Sequence, residues 1–372
     1  MILLILALST ASIAAVEKAP KQPIAVRVDF VEALAPRDTT SSARYQQSYE
    51  GTIALGAELL GKKLKACGYS LDTRTSFYDA SDALKAKEFG IKSAEEGAWL
   101  VVGPRRSNHY LLLVQGAGAI PTASIMASSD KVGDLGTRHT TLSPINSKMA
   151  AIAAAEANLR THKGARYVSV VSSDCSNCVD FAKAFDQSAA KLGLKKAGEL
   201  PITGEAIQAK ALRDQVSDLR PDFVLLPNYS KVSSAVMAAF NEDSHPPLFV
   251  GGDGWGDSQY GFVQNGLDVQ KVNGFTVRGF PPVDKGLSQF NLGREVLRSK
   301  RKALSFTPDL SILKIMEETV AELCAVRPKD RTAFLSAFEK QYAKRLEAPW
   351  GVSVFDLKRG EIHFDKTVGK GK

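Results

Sequence analysis

Histidine, methionine, tryptophan and cysteine are scarce, with five, five, three and four among 372 residues. The histidines (His109, His139, His162, His245 and His363) share no metal-ligand spacing, so no metal site is expected. Neither HExxH nor GxSxG occurs, which removes the signatures of zinc proteases and of the hydrolase nucleophile elbow. No base stands beside an evident nucleophile, so neither an enzyme activity nor a cofactor is expected. Beyond the first residues no apolar run approaches the ~20 residues of a spanning helix, so no stable membrane insertion is expected. Dense basic stripes are missing too. The net charge is +8, but the cations are scattered and the one tight cluster is RSKRK, Arg298 to Lys302. A nucleic-acid surface carries denser charge with aromatics between, so nucleic acid is not an expected partner. No repeat of 20 to 50 residues appears, which excludes solenoids.

The chain begins MILLILALSTASIAAVEKAP. An apolar core from Ile2 to Leu8, followed by Ser12 and Ala14 at cleavage-site spacing, predicts a secretory signal peptide over residues 1–15 and a periplasmic or other extracytoplasmic location. Export makes disulfides possible. Cys175 and Cys178 form a CxxC in SSDCSNCVDF. A zinc reading lacks a second ligand pair, and a c-haem reading fails because Val179 follows. A redox reading needs a helix start that stabilises a thiolate, which this segment could supply. A local disulfide at a loop-to-helix turn is the preferred reading. Cys67 and Cys324 are either buried thiols or a long-range bridge, which spacing does not decide.

Apolar periodicity alternates along the chain. IAVRVDFVEAL (24–34) reads as a strand, residues 35–51 as a polar loop, and Ile53, Leu55, Leu59, Leu60 and Leu64 as one helix face. YSLDTRTSFYDA reads as a strand, and a helix follows with Ser81 as its cap. AWLVVG is a third strand, SNHYLLLVQGAG a third helix and IPTASI a fourth strand. The alternation continues to PPLFVGGDG, which argues for α/β units with parallel sheets. In such sheets, ligand groups sit on loops at the strand carboxyl ends, here GPRRSN, SIMASSD, SSDCSN, LPNYSK and GGDGWGD. The pattern is too long for one sheet of ordinary width, so two lobes are expected, divided near TLSPINS (141–147) and VNGFTVRGF (272–280). GAELLGKK mimics a phosphate loop, but Lys63 stands where Ser or Thr would hold magnesium, and no strand precedes it.

VVGPRRSN, GAGAIPTASIMASSD, RYVSVVSSDCSNCVDFAKAF, LRPDFVLLPNYSKVSSAVMAAF, LFVGGDGWGD and the late GVSVFDLKRGEIHFD, in that order, resemble the type I periplasmic binding proteins. The likeness is to the branched-chain amino acid and amide binders that serve ABC transporters, over residues 24–365. It implies two Rossmann-like lobes with parallel-sheet cores joined by a three-strand hinge: residues 24–142 with 278–348, and 143–277 with 349–372. It implies an interlobe cleft that captures a small polar ligand (amino acid-like, amide or carboxylate) for a membrane permease of an ABC transporter. A ligand-sensing subunit that signals to a membrane receptor or regulator is the alternative, and a CxxC redox enzyme on this scaffold a third. By position, the resemblance assigns Ser107 to the ligand carboxylate, the Met126 backbone and the Ser128 hydroxyl to the next strand end, and Asp253 to an ammonium. Tyr229 would cover the ligand. The other aromatic position falls near Asn177, a departure that argues against a standard amino acid.

Each assignment has a plainer alternative. Ser107 sits where it would cap a helix, Asp253 where a turn aspartate bonds its own backbone, and Trp255 is either an aromatic wall or packing. Arg105 and Arg106 stand at a helix N-terminus, where exposed cations are disfavoured by roughly 0.3–1 kcal/mol. One of them is expected to face the cleft and pair with a carboxylate or phosphate; the alternative is that both reach solvent or acids on the rim. Arg44 and Tyr45 are candidate gate residues.

Overall fold

The computed structural model describes residues 22–34, 40–203, 208–255, 272–299, 307–339, 346, 349–358 and 361–369. The signal-peptide expectation, over residues 1–15, lies outside them. The first sheet region comprises β1 (Ile24–Leu34), α1 (Thr40–Ala66), β2 (Tyr69–Asp79), α2 (Leu84–Glu95), β3 (Leu100–Gly103), α3 (Ser107–Ala117), β4 (Thr122–Ser124), the single turn α4 (Asp130–Gly133) and β5 (His139–Thr141). The second comprises α5 (Asn146–Arg160), β6 (Arg166–Ser172), α6 (Ser176–Lys191), β7 (Lys195–Ile202), α7 (Ala209–Asp218), β8 (Phe223–Leu226), α8 (Ser230–Ala238), β9 (Leu248–Gly251) and β10 (Asn273–Arg278). Helices α9 (Val283–Leu287), α10 (Asn291–Arg298), α11 (Thr307–Val326) and α12 (Arg331–Ala337) follow, then strands β11 (Val352–Lys358) and β12 (Glu361–Val368).

Two sheets result. One has five parallel strands in the order β2-β1-β3-β4-β5. The other has seven, ordered β12-β11-β10-β9-β8-β6-β7, and its β11–β12 hairpin is antiparallel. These are two α/β lobes with parallel-sheet cores. Strands buried on both faces read as near-continuous apolar runs, and β3 and β8 are buried at every position. The helices returning after β10 pack on the first lobe: Leu313, Met316 and Val320 of α11 share a core with Ile53, Leu60 and Leu64 of α1. A Cβ on Gly56 would lie 2.6 Å from Met316 Sδ, so a larger residue there would make the Met316 side chain shift.

Three passages between the lobes follow from this order: after β5, after β10, and between α12 and β11. Two of them touch, since a Cβ on Gly279 would meet Pro144 at 2.5 Å.

The structure corrects several sequence expectations. The polar stretch after β1 is helical from Thr40, because Tyr45 and Tyr49, one turn apart, are buried against the first lobe. Tertiary burial outweighs the polar composition there. Ala83, not Ser81, precedes α2, and the Ser81 hydroxyl donates to Asp79 Oδ1 at 2.7 Å. Elements α4 and β5 carried too few residues to show a period. Most of 272–280 is the interior strand β10, and the passage begins at Gly279.

Cys67 is bonded to Cys324, tying the end of α1 to α11 across 257 residues. Closing so long a loop removes much freedom from the unfolded chain. The double variant Cys67→Ser/Cys324→Ser is expected to lose ~2–4 kcal/mol of stability. Urea denaturation of the oxidised proteins, followed by circular dichroism, measures the loss.

Candidate functional site

Both lobes repeat one strand order, β2-β1-β3-β4-β5 in the first and β7-β6-β8-β9-β10 in the second. In such sheets the chain leaves neighbouring strands toward opposite faces at one point, opening a crevice at their carboxyl ends. That point lies between β1 and β3 in one lobe and between β6 and β8 in the other. A cavity of about 330 Å³ lies where these crevices meet, lined by Arg106, Ser107 and Asn108 of the first lobe. The second lobe contributes the β6–α6 turn (Ser172, Asp174, Cys175, Ser176 and Asn177) and the start of α8 (Tyr229, Lys231 and Val232). Arg106, Ser107, Asn177 and Tyr229, four of the residues singled out from the sequence, therefore share one cavity.

Serine hydroxyls shape the first-lobe wall. Arg106, rather than Ser107, is the N-cap of α3, and its side chain makes no capping bond. Ser107 Oγ instead accepts from the amides of Ser128 (3.2 Å) and Ser129 (3.1 Å), tying the β3 loop to the β4 loop. Ser124 Oγ donates to Pro104 O at 2.9 Å and accepts from the amides of Ala127 (2.9 Å) and Met126 (3.4 Å). The Met126 side chain packs against the lobe core.

One of these residues reaches the other lobe. The Ser128 hydroxyl donates to Asp253 Oδ2 at 2.8 Å. Surrounding protein raises the Asp253 carboxyl above its ordinary range, while the Ser128 hydroxyl and the charge of Arg278 pull it down. Asp253 is not in the cavity lining. The Asn146 amide donates to Ser128 O at 2.7 Å, and its side chain donates to Asn177 Oδ1 at 2.8 Å. Hydrogen bonds thus run from Ser107 through Ser128 and the α5 start to Asn177 on the opposite wall.

The two arginines diverge. Arg105 turns inward: its Nε is 3.8 Å from Glu32 Oε1, and its guanidinium lies 4.4 Å over the Tyr45 ring. Tyr45 also donates to Glu32, at 3.4 Å. Glu32 is fully buried, and burial raises its carboxyl despite the Arg105 charge. Neither Arg105 nor Tyr45 lines the cavity. Arg106 does, with Nη1 donating to Ala80 O at 3.4 Å. The exposed Arg44 is not in the lining either. Trp255 is completely buried and donates to Leu226 O at 2.8 Å, and a Cβ on Gly251 would meet its ring at 2.3 Å. It packs the second-lobe core rather than walling the cavity.

Cys175 and Cys178 are joined, with Cys175 as the N-cap of α6. Lys231, Asp174, Asn108 and Ser172 were not singled out from sequence. All four lay within the chosen loops, and for Lys231 and Asp174 a charged residue beside a strand end was the available signal.

Burial, helped by the charge of Arg106, lowers the His109 pKa to about 4; Nδ1 lies 2.8 Å from the Tyr78 hydroxyl. The unfolded imidazole titrates near ~6.5. Below that pH the unfolded chain takes up a proton that the folded chain refuses, so this stability is lost as pH falls from ~6.5 toward 4. Glu32 and Asp253, whose carboxyls are raised, act in the opposite sense. A plot of Tm against pH is expected to fall less steeply over this window for His109→Phe than for the unaltered protein, although Phe lowers Tm at pH 7 by orphaning the Tyr78 hydroxyl.

No model of a known protein family matches the sequence, and no curated protein does. Solved structures do match in fold. A leucine-binding protein from Thermotoga maritima aligns with TM-score 0.72 at 14% identity, over 92% of this chain and 98% of that one. A branched-chain amino acid transporter substrate-binding protein from Streptococcus pneumoniae, in complex with isoleucine, gives 0.67 at 14%, over 92% and 99%. An ABC-transporter solute-binding protein from R. palustris, in complex with benzoate, gives 0.66 at 15%, over 91% and 95%. With two α/β lobes on parallel-sheet cores and these matches in fold, this chain has the type I periplasmic-binding-protein fold.

Proposed function

We propose that this protein is an extracytoplasmic solute-binding protein, which holds a small polar ligand between its lobes and presents it to the membrane permease of an ABC transporter. The observation that carries this reading is the cavity lined from both lobes at their two strand switch points. Loops there can engage a solute from opposite sides without a cofactor or covalent chemistry. Arg106 and Ser107 form the first-lobe contact in this reading and Asn177 and Tyr229 the second-lobe one, while the Met126 backbone and Ser128, outside the lining, hold the loop behind Ser107. Arg105, Tyr45 and Trp255 support the walls from behind. Two disulfides favour an oxidising compartment, in keeping with export. The structural relatives that bind leucine, isoleucine and benzoate support a small solute without choosing among its classes.

Function then follows from population shift. A solute that touches both lobes binds the closed arrangement more tightly than the open one, and only that difference moves the equilibrium. The Ser128–Asp253 bond is one contact made across the lobes.

The test is native mass spectrometry of protein purified from its own host. A small molecule is expected to be retained and released on unfolding, and readdition of that molecule should raise Tm in proportion to ln(1 + [L]/Kd). Ser176→Trp, an exposed substitution that fills the cavity, should lose the molecule while keeping the native circular dichroism. Retention of the same molecule by Ser176→Trp would refute the site, and failure of any small molecule to bind would refute the reading.

A further inference from the structure

The two disulfides stand in opposite electrostatic settings. Cys67 follows the C-terminal end of α1, and Cys324 lies in the last turn of α11 with its Sγ 3.9 Å from the Lys63 carbonyl. Helix C-termini present carbonyl oxygens and disfavour a thiolate. Cys175 and Cys178 instead occupy the N-cap and first turn of the 16-residue helix α6, and the Cys178 amide donates to Cys175 Sγ at 3.2 Å. Amides and dipole there stabilise a thiolate, and with it the reduced form. The two cysteines of this pair also differ in access. Cys178 is 2% exposed within the second-lobe core, whereas Cys175 is half-buried and lines the interlobe cavity. Ser176 and Asn177, the residues enclosed by the bond, line the same cavity. The Asn177 carboxamide oxygen accepts from the side chain of the fully buried Asn146, whose amide donates to Ser128 O at the lobe passage. The cross-link therefore closes the short loop that holds Asn177 between the cavity and the passage.

We propose that the Cys175–Cys178 disulfide is a redox switch on the solute site, opened by a small thiol that enters through the interlobe cavity. The thiolate of the entering molecule attacks Cys175 Sγ, the accessible sulfur. A sulfur–sulfur bond forms between them, the Cys175–Cys178 bond breaks, and Cys178 leaves as a thiolate that takes up a proton. A second small thiolate attacks the first molecule's sulfur, and Cys175 leaves with the electron pair, stabilised by the Cys178 amide. Two small thiols are thereby oxidised to one disulfide, and the protein disulfide is reduced to two thiols. Without the cross-link the loop carrying Ser176 and Asn177 loosens, the bond from Asn146 is lost, and the wall that meets a solute is no longer preorganised. Reduction then weakens solute retention, and the reverse exchange with a small disulfide restores it. This rests on the reading of the cavity as a solute site and adds a control upon it.

The test uses the oxidised full chain and no solute. The protein is equilibrated with graded ratios of reduced to oxidised dithiothreitol and alkylated with iodoacetamide, and its cysteines are read by peptide mass spectrometry. Cys175–Cys178 is expected to open at a ratio roughly tenfold or more below the one that opens Cys67–Cys324. Oxidised glutathione should add to Cys175 in Cys178→Ser and leave Cys178 unmodified in Cys175→Ser, because only the first sulfur is accessible. Hydrogen exchange in a peptide covering residues 145–150 should quicken about fivefold or more on selective reduction, while that of β8 stays unchanged. Cys175→Ser/Cys178→Ser, which keeps a capping oxygen on α6, should show the faster exchange with or without dithiothreitol. Opening of Cys67–Cys324 first, or glutathione on Cys178 alone, would overturn the exchange step. Slow exchange over residues 145–150 in the reduced protein would overturn the switch and leave a structural disulfide. These failures would leave the solute-binding reading intact, since that reading falls only on the retention experiment.

Discussion

A parallel sheet ends all its strands at one edge, and that constraint organises this protein. Each strand of a β–α unit hands over to a helix there, so the electropositive starts of those helices collect on the same side. Two such sheets of matching order face each other through their carboxyl edges, and the loops after β3, β6 and β8 converge. The cavity is a consequence of topology before it is a consequence of any side chain. Its chemistry then follows from what three short loops carry.

Hydroxyl groups hold those loops in shape. A buried polar group must find a partner or carry its full desolvation cost, and the β4 loop meets that demand through Ser107 and Ser124 rather than through regular structure. Ser128, at the end of this loop, joins both Asn146 at the lobe passage and Asp253 in the second lobe. Changes at the passage are therefore felt at the cavity wall through short, directional bonds. The close approach of Gly279 to Pro144 keeps two passages side by side.

Arg105 and Arg106 show how neighbours diverge. Glu32, buried on β1, draws Arg105 inward, and Tyr45 covers the pair. A buried carboxylate without a cation would be far costlier than a solvated arginine would gain. Arg106, one residue on, lines the cavity and donates to the Ala80 carbonyl. The sequence raised the right question about this dipeptide, but which arginine served which purpose depended on Glu32, more than seventy residues away.

The alternation of strand and helix, the parallel sheets and the five candidate loops were legible in the sequence, because burial period and turn chemistry are properties of short segments. Helix α1 was misjudged over its first turns, where Tyr45 and Tyr49 gain burial only once the lobe exists. Ser107, read as a ligand contact with helix capping as the plainer alternative, does not cap its helix but bonds the β4 loop, and Trp255 went to the core. Cys67 and Cys324 had no local signal, since their pairing joins helices brought together by Leu313, Met316 and the face of α1. The amino-acid order alone thus determined the repeating units and the loops at their ends. Only tertiary packing decided which loops face one another and which charged groups reach the cavity, because those outcomes turn on contacts between residues remote in the chain.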